Sequence, residues 1–264
     1  MSHARLTELF QSTRKEGRTA FLPFMTAGLP DPASSPSMFG AMSRADAFEI
    51  GIPYSDPLMD GPTIQEAGHR ALAAGTDFAS GLEVARQVVS TTGKPALVMT
   101  YTNVVMQVGL QRFAGEVAAA GASGVIVADL PLEEAEPIQS SLESAGLGMV
   151  LFVAPTTTED RILRVAEAKP VFIYGVAEVG VTGERAKASS RAAELSSRVR
   201  AVTDAPLVLG VGISTPDQAR AVASHADGII VGSALVRKVL DAPSPQAAAD
   251  SLRADTEAFI SALS

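Results

Sequence analysis

The chain has 264 residues, 47% of them hydrophobic, enough apolar material for one large core, which excludes disorder as its main state. Its 21 basic and 29 acidic residues leave a net charge of −8, so no broad positive surface exists to hold a nucleic-acid backbone. Without cysteine there are no disulfides, thiolate nucleophiles or Cys-ligated metals. No apolar run approaches the ~18 residues of a membrane span, and the first residues form no apolar signal segment, so a cytoplasmic protein is expected.

In chain order, Leu6, Leu9 and Phe10 stand at helical spacing and predict an extra N-terminal helix that plugs one end of the fold. Short apolar runs then recur at Phe21 to Thr26, Ala47 to Gly51, Ala96 to Met99, Gly124 to Asp129, Met149 to Val153, Val171 to Tyr174, Pro206 to Gly210 and Gly228 to Val231. Between them lie Ala/Arg/Glu/Leu-rich stretches with helical spacing, such as Leu110, Phe113, Val117 and Ala120. Runs that are apolar throughout, rather than alternating, belong to strands buried on both faces, as a helix-covered parallel sheet requires. Eight strand–helix units in this length predict a single (β/α)8 barrel domain over residues 1–264. An open doubly wound sheet is disfavoured because Thr26-Ala27-Gly28-Leu29-Pro30, and no Gly-x-Gly-x-x-Gly turn, follows the first strand. Pro243-Ser244-Pro245 stops one helix, and Leu252, Phe259 and Leu263 lie on the last.

The longest departures from the rhythm, Pro53 to Thr76 and Gly175 to Ser197, follow strands two and six, where a barrel gathers its catalytic loops. Glu49 lies inside the second strand among apolar or small neighbours, where a carboxylate is either functional or paired with a buried cation. Asp60 lies in the following loop, which three prolines and a glycine stiffen; Asp56, before Pro57, reads as a turn former. Gly210-Val211-Gly212 and Gly232-Ser233 follow strands seven and eight, where barrels of this kind hold phosphate on backbone amides; Gly183 offers another amide after strand six. His3, His69 and His225 all lie outside strands, the latter two reading as helix-surface residues, so a strand-borne metal cluster is not expected. No lysine falls within a strand to form a Schiff base, and no Gly-x-Ser-x-Gly occurs. Carboxylate acid/base chemistry on a phosphorylated small molecule remains.

The stretch Phe48-Glu49-Ile50-Gly51-Ile52-Pro53-Tyr54-Ser55-Asp56-Pro57-Leu58-Met59-Asp60-Gly61-Pro62 closely resembles the signature of the tryptophan synthase alpha chain family. Similar matches run from Pro23-Phe24-Met25-Thr26-Ala27-Gly28 through Met99 to Asn103, Val127 to Pro131, Ala154 to Thr157, Gly180 to Gly183 and Gly210 to Ser214, ending at Gly232-Ser233-Ala234. The resemblance implies a (β/α)8 barrel that cleaves indole-3-glycerol phosphate to indole and glyceraldehyde 3-phosphate, a lyase step of tryptophan biosynthesis, with no cofactor of its own. It implies catalytic roles for Glu49 and Asp60, and substrate contacts from Phe24, Met99, Ile126, Val153 and Tyr174 on the indole side and Thr182, Gly183, Gly212, Gly232 and Ser233 on the phosphate side. It further implies a beta-chain partner that carries pyridoxal phosphate, in an α2β2 heterotetramer, with Tyr54 to Pro57 as an exposed contact loop. Two departures stand out. The segment between Pro32 and Ala47 is about two residues short and has Ser43-Arg44-Ala45-Asp46 as its lead-in, which predicts a short or irregular first barrel helix and puts the placement of Glu49 at issue. Ala177 and Glu178 depart from the pattern in the loop after strand six. The rival readings are another phosphate-binding barrel enzyme and a catalytically silent barrel that only activates a partner, the latter favoured if Glu49 were paired with a buried cation.

Overall fold

The computed structural model describes residues 3–176, 185–210 and 212–263, the side chains of 185–189 excepted. Eight parallel strands close into a barrel in sequence order: β1 (Ala20–Thr26), β2 (Phe48–Gly51), β3 (Ala96–Thr100), β4 (Gly124–Val127), β5 (Gly148–Val153), β6 (Phe172–Val176), β7 (Leu207–Gly210) and β8 (Gly228–Val231). Each expected apolar run carries one strand. The helices are α1 (Ala4–Glu16), α2 (Ser35–Ala41), α3 (Pro62–Ala73), α4 (Phe78–Thr92), α5 (Thr102–Val108), α6 (Leu110–Ala119), α7 (Glu136–Ser144), α8 (Glu159–Glu167), α9 (Arg185–Arg200), α10 (Pro216–Ala223), α11 (Ser233–Asp241) and α12 (Pro245–Leu263). No helix among the described residues is long and apolar enough to cross a membrane.

Why one strand face points inward can be read from what lies against it. On β2, Phe48 meets Phe39 of α2 edge-on at 5.7 Å between ring centroids, so Phe48 and Ile50 face the helices. Glu49 and Gly51 therefore face the barrel axis, because successive side chains alternate. On β1, Leu22 and Phe24 share the inward face: a Cβ on Gly228 would lie 3.2 Å from Leu22, and one on Gly51 2.7 Å from the Phe24 ring. The pairing Phe24↔Glu49↔Leu97 sets Glu49 in an otherwise apolar layer.

The expected plug is present. Phe10 of α1 packs on Phe172 at 5.8 Å and comes within 3.2 Å of the position a Gly228 Cβ would occupy, sealing the N-terminal mouth. The first barrel helix is short, as expected, with 7 residues. Its short lead-in does not displace Glu49. Tight turns such as Met42 N–H to Phe39 C=O and Ala45 N–H to Met42 C=O absorb the missing length, and the Asp46 carboxylate accepts from the Phe21 N–H at 2.9 Å and from Arg18 at 2.9 Å. That ties the foot of β2 to β1.

At the same end, Asp227 is 7% exposed and accepts from Arg14 at 2.6 Å, from the Leu207 N–H at 2.7 Å and from Arg200. Burial pushes its carboxyl up, but these hydrogen bonds outweigh burial and hold its pKa below the ordinary aspartate range. Asp227→Ala strands a buried N–H and unpairs two partly exposed arginines, so a loss of about 2–4 kcal/mol is expected in denaturant unfolding at neutral pH. With the folded pKa depressed, the wild-type contribution is present above the ordinary aspartate pKa and fades as acid drops the pH through the folded value. An unchanged unfolding midpoint would remove Asp227 as the tie between α1, α9 and the β7–β8 edge.

Candidate active site

The C-terminal mouth of the barrel carries the two acids. Glu49 is 3% exposed, and among the described residues its Oε2 has no hydrogen-bond partner and no cation sits against it. Burial, and second the negative charge of Asp60, push its pKa up to about 8. Asp60 is brought in by the loop after β2. That loop folds back on itself through Leu58 N–H to Asp56 C=O (2.9 Å) and Asp60 N–H to Pro57 C=O (3.0 Å), and Gln65 of α3 donates to the Asp60 carbonyl at 2.8 Å. Burial raises the Asp60 pKa, while the nearby Tyr101 hydroxyl favours its ionised form. Like charges in one low-dielectric site push the two titrations apart. The arrangement favours one neutral acid, Glu49, facing one carboxylate, Asp60.

Beside Asp60 lies a recess of about 10 Å³ lined by Phe24, Thr26, Gly51, Ile52, Pro53, Tyr54, Pro57, Asp60, Ile64, Gly68 and Met99. That is room for one water-sized body in this conformation. Phe24 covers the recess from β1 and also lies 3.4 Å from where a Gly232 Cβ would stand, so glycine there lets the β8 end approach the ring. Met99 and Ile126 are paired across β3 and β4. Tyr174 lies with its hydroxyl 2.3 Å from where a Gly210 Cβ would be, and burial followed by the charges of Glu49 and Asp60 raises its pKa well above the ordinary tyrosine value. Phe24, Met99, Ile126 and Tyr174 thus converge on the two acids.

Val153 does not. It pairs with Gly175, whose Cβ direction leads to Leu195 of α9 and to Leu207 and Leu209, so this register position faces the helices. The ring on the barrel side of β5 is Phe152, stacked on Tyr174 at 5.2 Å. The contact loop also differs from expectation: Pro57 is buried against the recess and Tyr54 half-buried, whereas Leu58 and Met59 are 80% and 64% exposed. His69 is exposed on α3 as expected, but His225 is half-buried in the turn after α10 rather than on the helix.

On the phosphate side, Gly212 has φ +80°, a left-handed turn that glycine takes without strain, and its backbone is exposed at the mouth. Gly232 and Ser233 open α11, whose first-turn N–H groups have no partner within the helix and present partial positive charge. Thr182, Gly183, Ala177 and Glu178 lie outside the described residues. Sequence reading missed three residues that the fold adds to the site: Thr26, Phe152 and Tyr101. Thr26 ends β1 with its buried hydroxyl unpartnered among the described residues, and Tyr101 directly follows β3. Position at a strand's C-terminal end was the available signal.

Known proteins of similar sequence and fold point to one family. The family model described as tryptophan synthase alpha chain matches residues 10–262. A tryptophan synthase alpha chain from Thermobifida fusca is 44% identical over 245 residues, covering 91% of this chain and 90% of that protein. One from Solibacter usitatus is 43% identical over 237 residues, 89% of each. Among solved structures, M. tuberculosis tryptophan synthase in an aminoacrylate-bound form superposes with TM-score 0.88 at 35% identity, covering 98% of this chain and 99% of that one. The alpha subunit from Legionella pneumophila gives 0.86 at 32%, covering 97% and 98%. With a matched model spanning nearly the whole barrel and relatives this similar over their own length, this chain belongs to the tryptophan synthase alpha chain family.

Proposed function

We propose that this chain cleaves indole-3-glycerol phosphate to indole and glyceraldehyde 3-phosphate by acid/base catalysis with Glu49 as proton shuttle and Asp60 as the partner of the ring nitrogen. The supporting observation is the pair itself: a buried carboxyl, with no cation against it among the described residues, poised neutral beside a carboxylate, with aromatic and aliphatic side chains at the barrel mouth. An indole anion is too unstable to leave as C3 parts from the glycerol carbon. Protonating C3 first gives an indolenine whose iminium-like nitrogen accepts the bond's electrons. Neutral Glu49 gives that proton. Its carboxylate then takes the proton of the adjacent glycerol hydroxyl as the carbon–carbon bond breaks and that carbon becomes the aldehyde, so the enzyme ends as it began. Such a group contributes ~10²- to 10⁴-fold. Asp60 accepts the ring N–H and stabilises the positive charge that grows there. Amides of Gly212, Gly232 and Ser233 hold the phosphate and orient the substrate.

A silent, partner-activating barrel would be favoured by a buried cation on Glu49, and among the described residues no cation sits against it. We further infer that a pyridoxal-phosphate-carrying beta chain docks on the C-terminal face in an α2β2 assembly. Of the four large apolar side chains most exposed among the described residues, Leu58, Met59 and Met106 belong to segments that follow β2 and β3 on this face. The deciding experiment incubates the purified chain with indole-3-glycerol phosphate, with and without a beta chain, and follows indole. Release by the chain alone, increased by the partner, is expected; no indole under either condition overturns the reading.

A further inference from the structure

The loop that carries Asp60 leans on a tyrosine that the mechanism above leaves unused. Tyr101 is 2% exposed at the end of β3, and its hydroxyl is buried without a hydrogen-bond partner among the described residues. Alternation along β3 puts Tyr101 on the same inward side as Leu97 and Met99. Its ring stacks on Tyr54 at 4.9 Å and 28°, at the start of the Asp60 loop. Both rings are tied from outside: Thr102 donates its N–H and hydroxyl to one Asp129 oxygen at 2.7 and 2.9 Å, and Asn103 donates to the Tyr54 hydroxyl at 3.1 Å. Tyr101 is therefore a fixed post between β3 and β4, with an orphan donor at its tip. The groups next to that tip are the Asp60 carboxylate and the Met59 N–H, with Asp129 acting more weakly.

We propose that Tyr101 is a positioning residue for Asp60, its hydroxyl holding the loop carboxylate in place for the substrate's ring N–H. An unpaired buried donor beside a carboxylate is costly, and closing that pair satisfies both. Hydrogen bonds at such sites are often long without substrate and shorten when it binds. The bond also serves the proton balance of the site: it keeps Asp60 ionised, and an ionised Asp60 keeps Glu49 protonated. Among the described residues, the titratable groups facing Asp60 are Glu49 from β2, Tyr101 after β3 and Tyr174 from β6. Of these, Tyr101 is the one donor that favours the charged carboxylate.

This proposal rests on the role given to Asp60, and the test separates the two. Tyr101→Phe keeps the ring and removes only the hydroxyl. The acid limb of kcat/KM for indole-3-glycerol phosphate cleavage is expected to move up by roughly one pH unit, so the loss is about tenfold on that limb and small on the plateau. The thermal unfolding midpoint should hardly change, since without substrate the hydroxyl closes no hydrogen bond among the described residues. A loss equal at every pH, or no shift of the limb, overturns the assignment. Replacing Tyr101 with 3-fluorotyrosine makes the hydroxyl a stronger donor without altering the fold, and is expected to move the limb the other way; an unmoved limb is again a refutation. Asp60→Asn run alongside marks which idea has failed: if that variant keeps kcat/KM within about tenfold of wild type, the role of Asp60 falls, and if it loses ~10²-fold or more while the Tyr101 variants leave the limb in place, only the role of Tyr101 falls.

Discussion

Glu49→Gln is expected to lose turnover by ~10³-fold or more while binding indole-3-glycerol phosphate nearly as well as the wild type. Glutamine keeps the shape of the neutral acid and its place in the layer between Phe24 and Leu97, but has no proton to give to C3 and none to regain from the hydroxyl. The variant also carries a stability signature. Folding raises the Glu49 pKa from 4.5 to about 8, so near neutral pH the folded chain takes up a proton that the unfolded chain has lost. For a carboxyl raised in this way the cost of folding is absent below the unfolded value and grows as the pH climbs towards the folded one, reaching about 3 kcal/mol near pH 7. Glutamine escapes that cost, and in exchange buries an amide whose unmet hydrogen bonds return about 1–3 kcal/mol. The stability difference between Gln and Glu chains is thus expected to rise between pH 5 and 8 in favour of the inactive variant. Unfolding curves in urea at several pH values measure it. Turnover above a tenth of wild type would remove Glu49 from the chemistry, and a pH-independent stability difference would show that its carboxyl is not held neutral.

Much of this site could be read before any coordinates, and the failures share one cause. Glu49 was legible because a charged residue inside an apolar run has no cheap explanation, and Asp60 because a stiff loop after the second strand of a barrel belongs at the mouth. Strand positions were legible for the same reason, since a run buried on both faces is continuous and ends in Gly, Asp or Pro. That continuity also hides which residues face inward. Leu151, Phe152 and Val153 are equally apolar, so nothing local distinguishes the ring that stacks on Tyr174 from the side chain that faces α9; the register with Tyr174 and Gly175 decides it. Tyr101 went unnoticed because its significance is a contact across 41 positions of sequence with Asp60, which no local pattern encodes. Pro57 belongs by sequence to an exposed loop, yet it turns inward because the loop's backbone bonds fold it against the recess and leave Leu58 and Met59 outside.

Asp60→Asn is expected to lower kcat/KM by ~10²- to 10³-fold, and its residual activity carries the sharper information. Asparagine still offers an oxygen to the ring N–H, so ground-state binding should weaken only modestly. What disappears is the negative charge opposite a nitrogen that becomes cationic as C3 is protonated, and one such interaction in a dry site is worth about 3–4 kcal/mol of barrier. The same charge is the second cause of the raised pKa of Glu49. Without it Glu49 ionises at lower pH. The alkaline limb, expected near pH 8 in the wild type as neutral Glu49 is lost, should therefore move towards acid in the variant, while the acid limb owed to Asp60 disappears. Both shifts have fixed signs: removing a like charge makes the remaining carboxyl easier to ionise, and amide cannot titrate. A profile of residual turnover from pH 5 to 9 tests them together. If the alkaline limb stays in place, the two acids are not electrostatically coupled in the working enzyme; if it moves towards alkali, the division into one neutral donor and one charged acceptor is wrong.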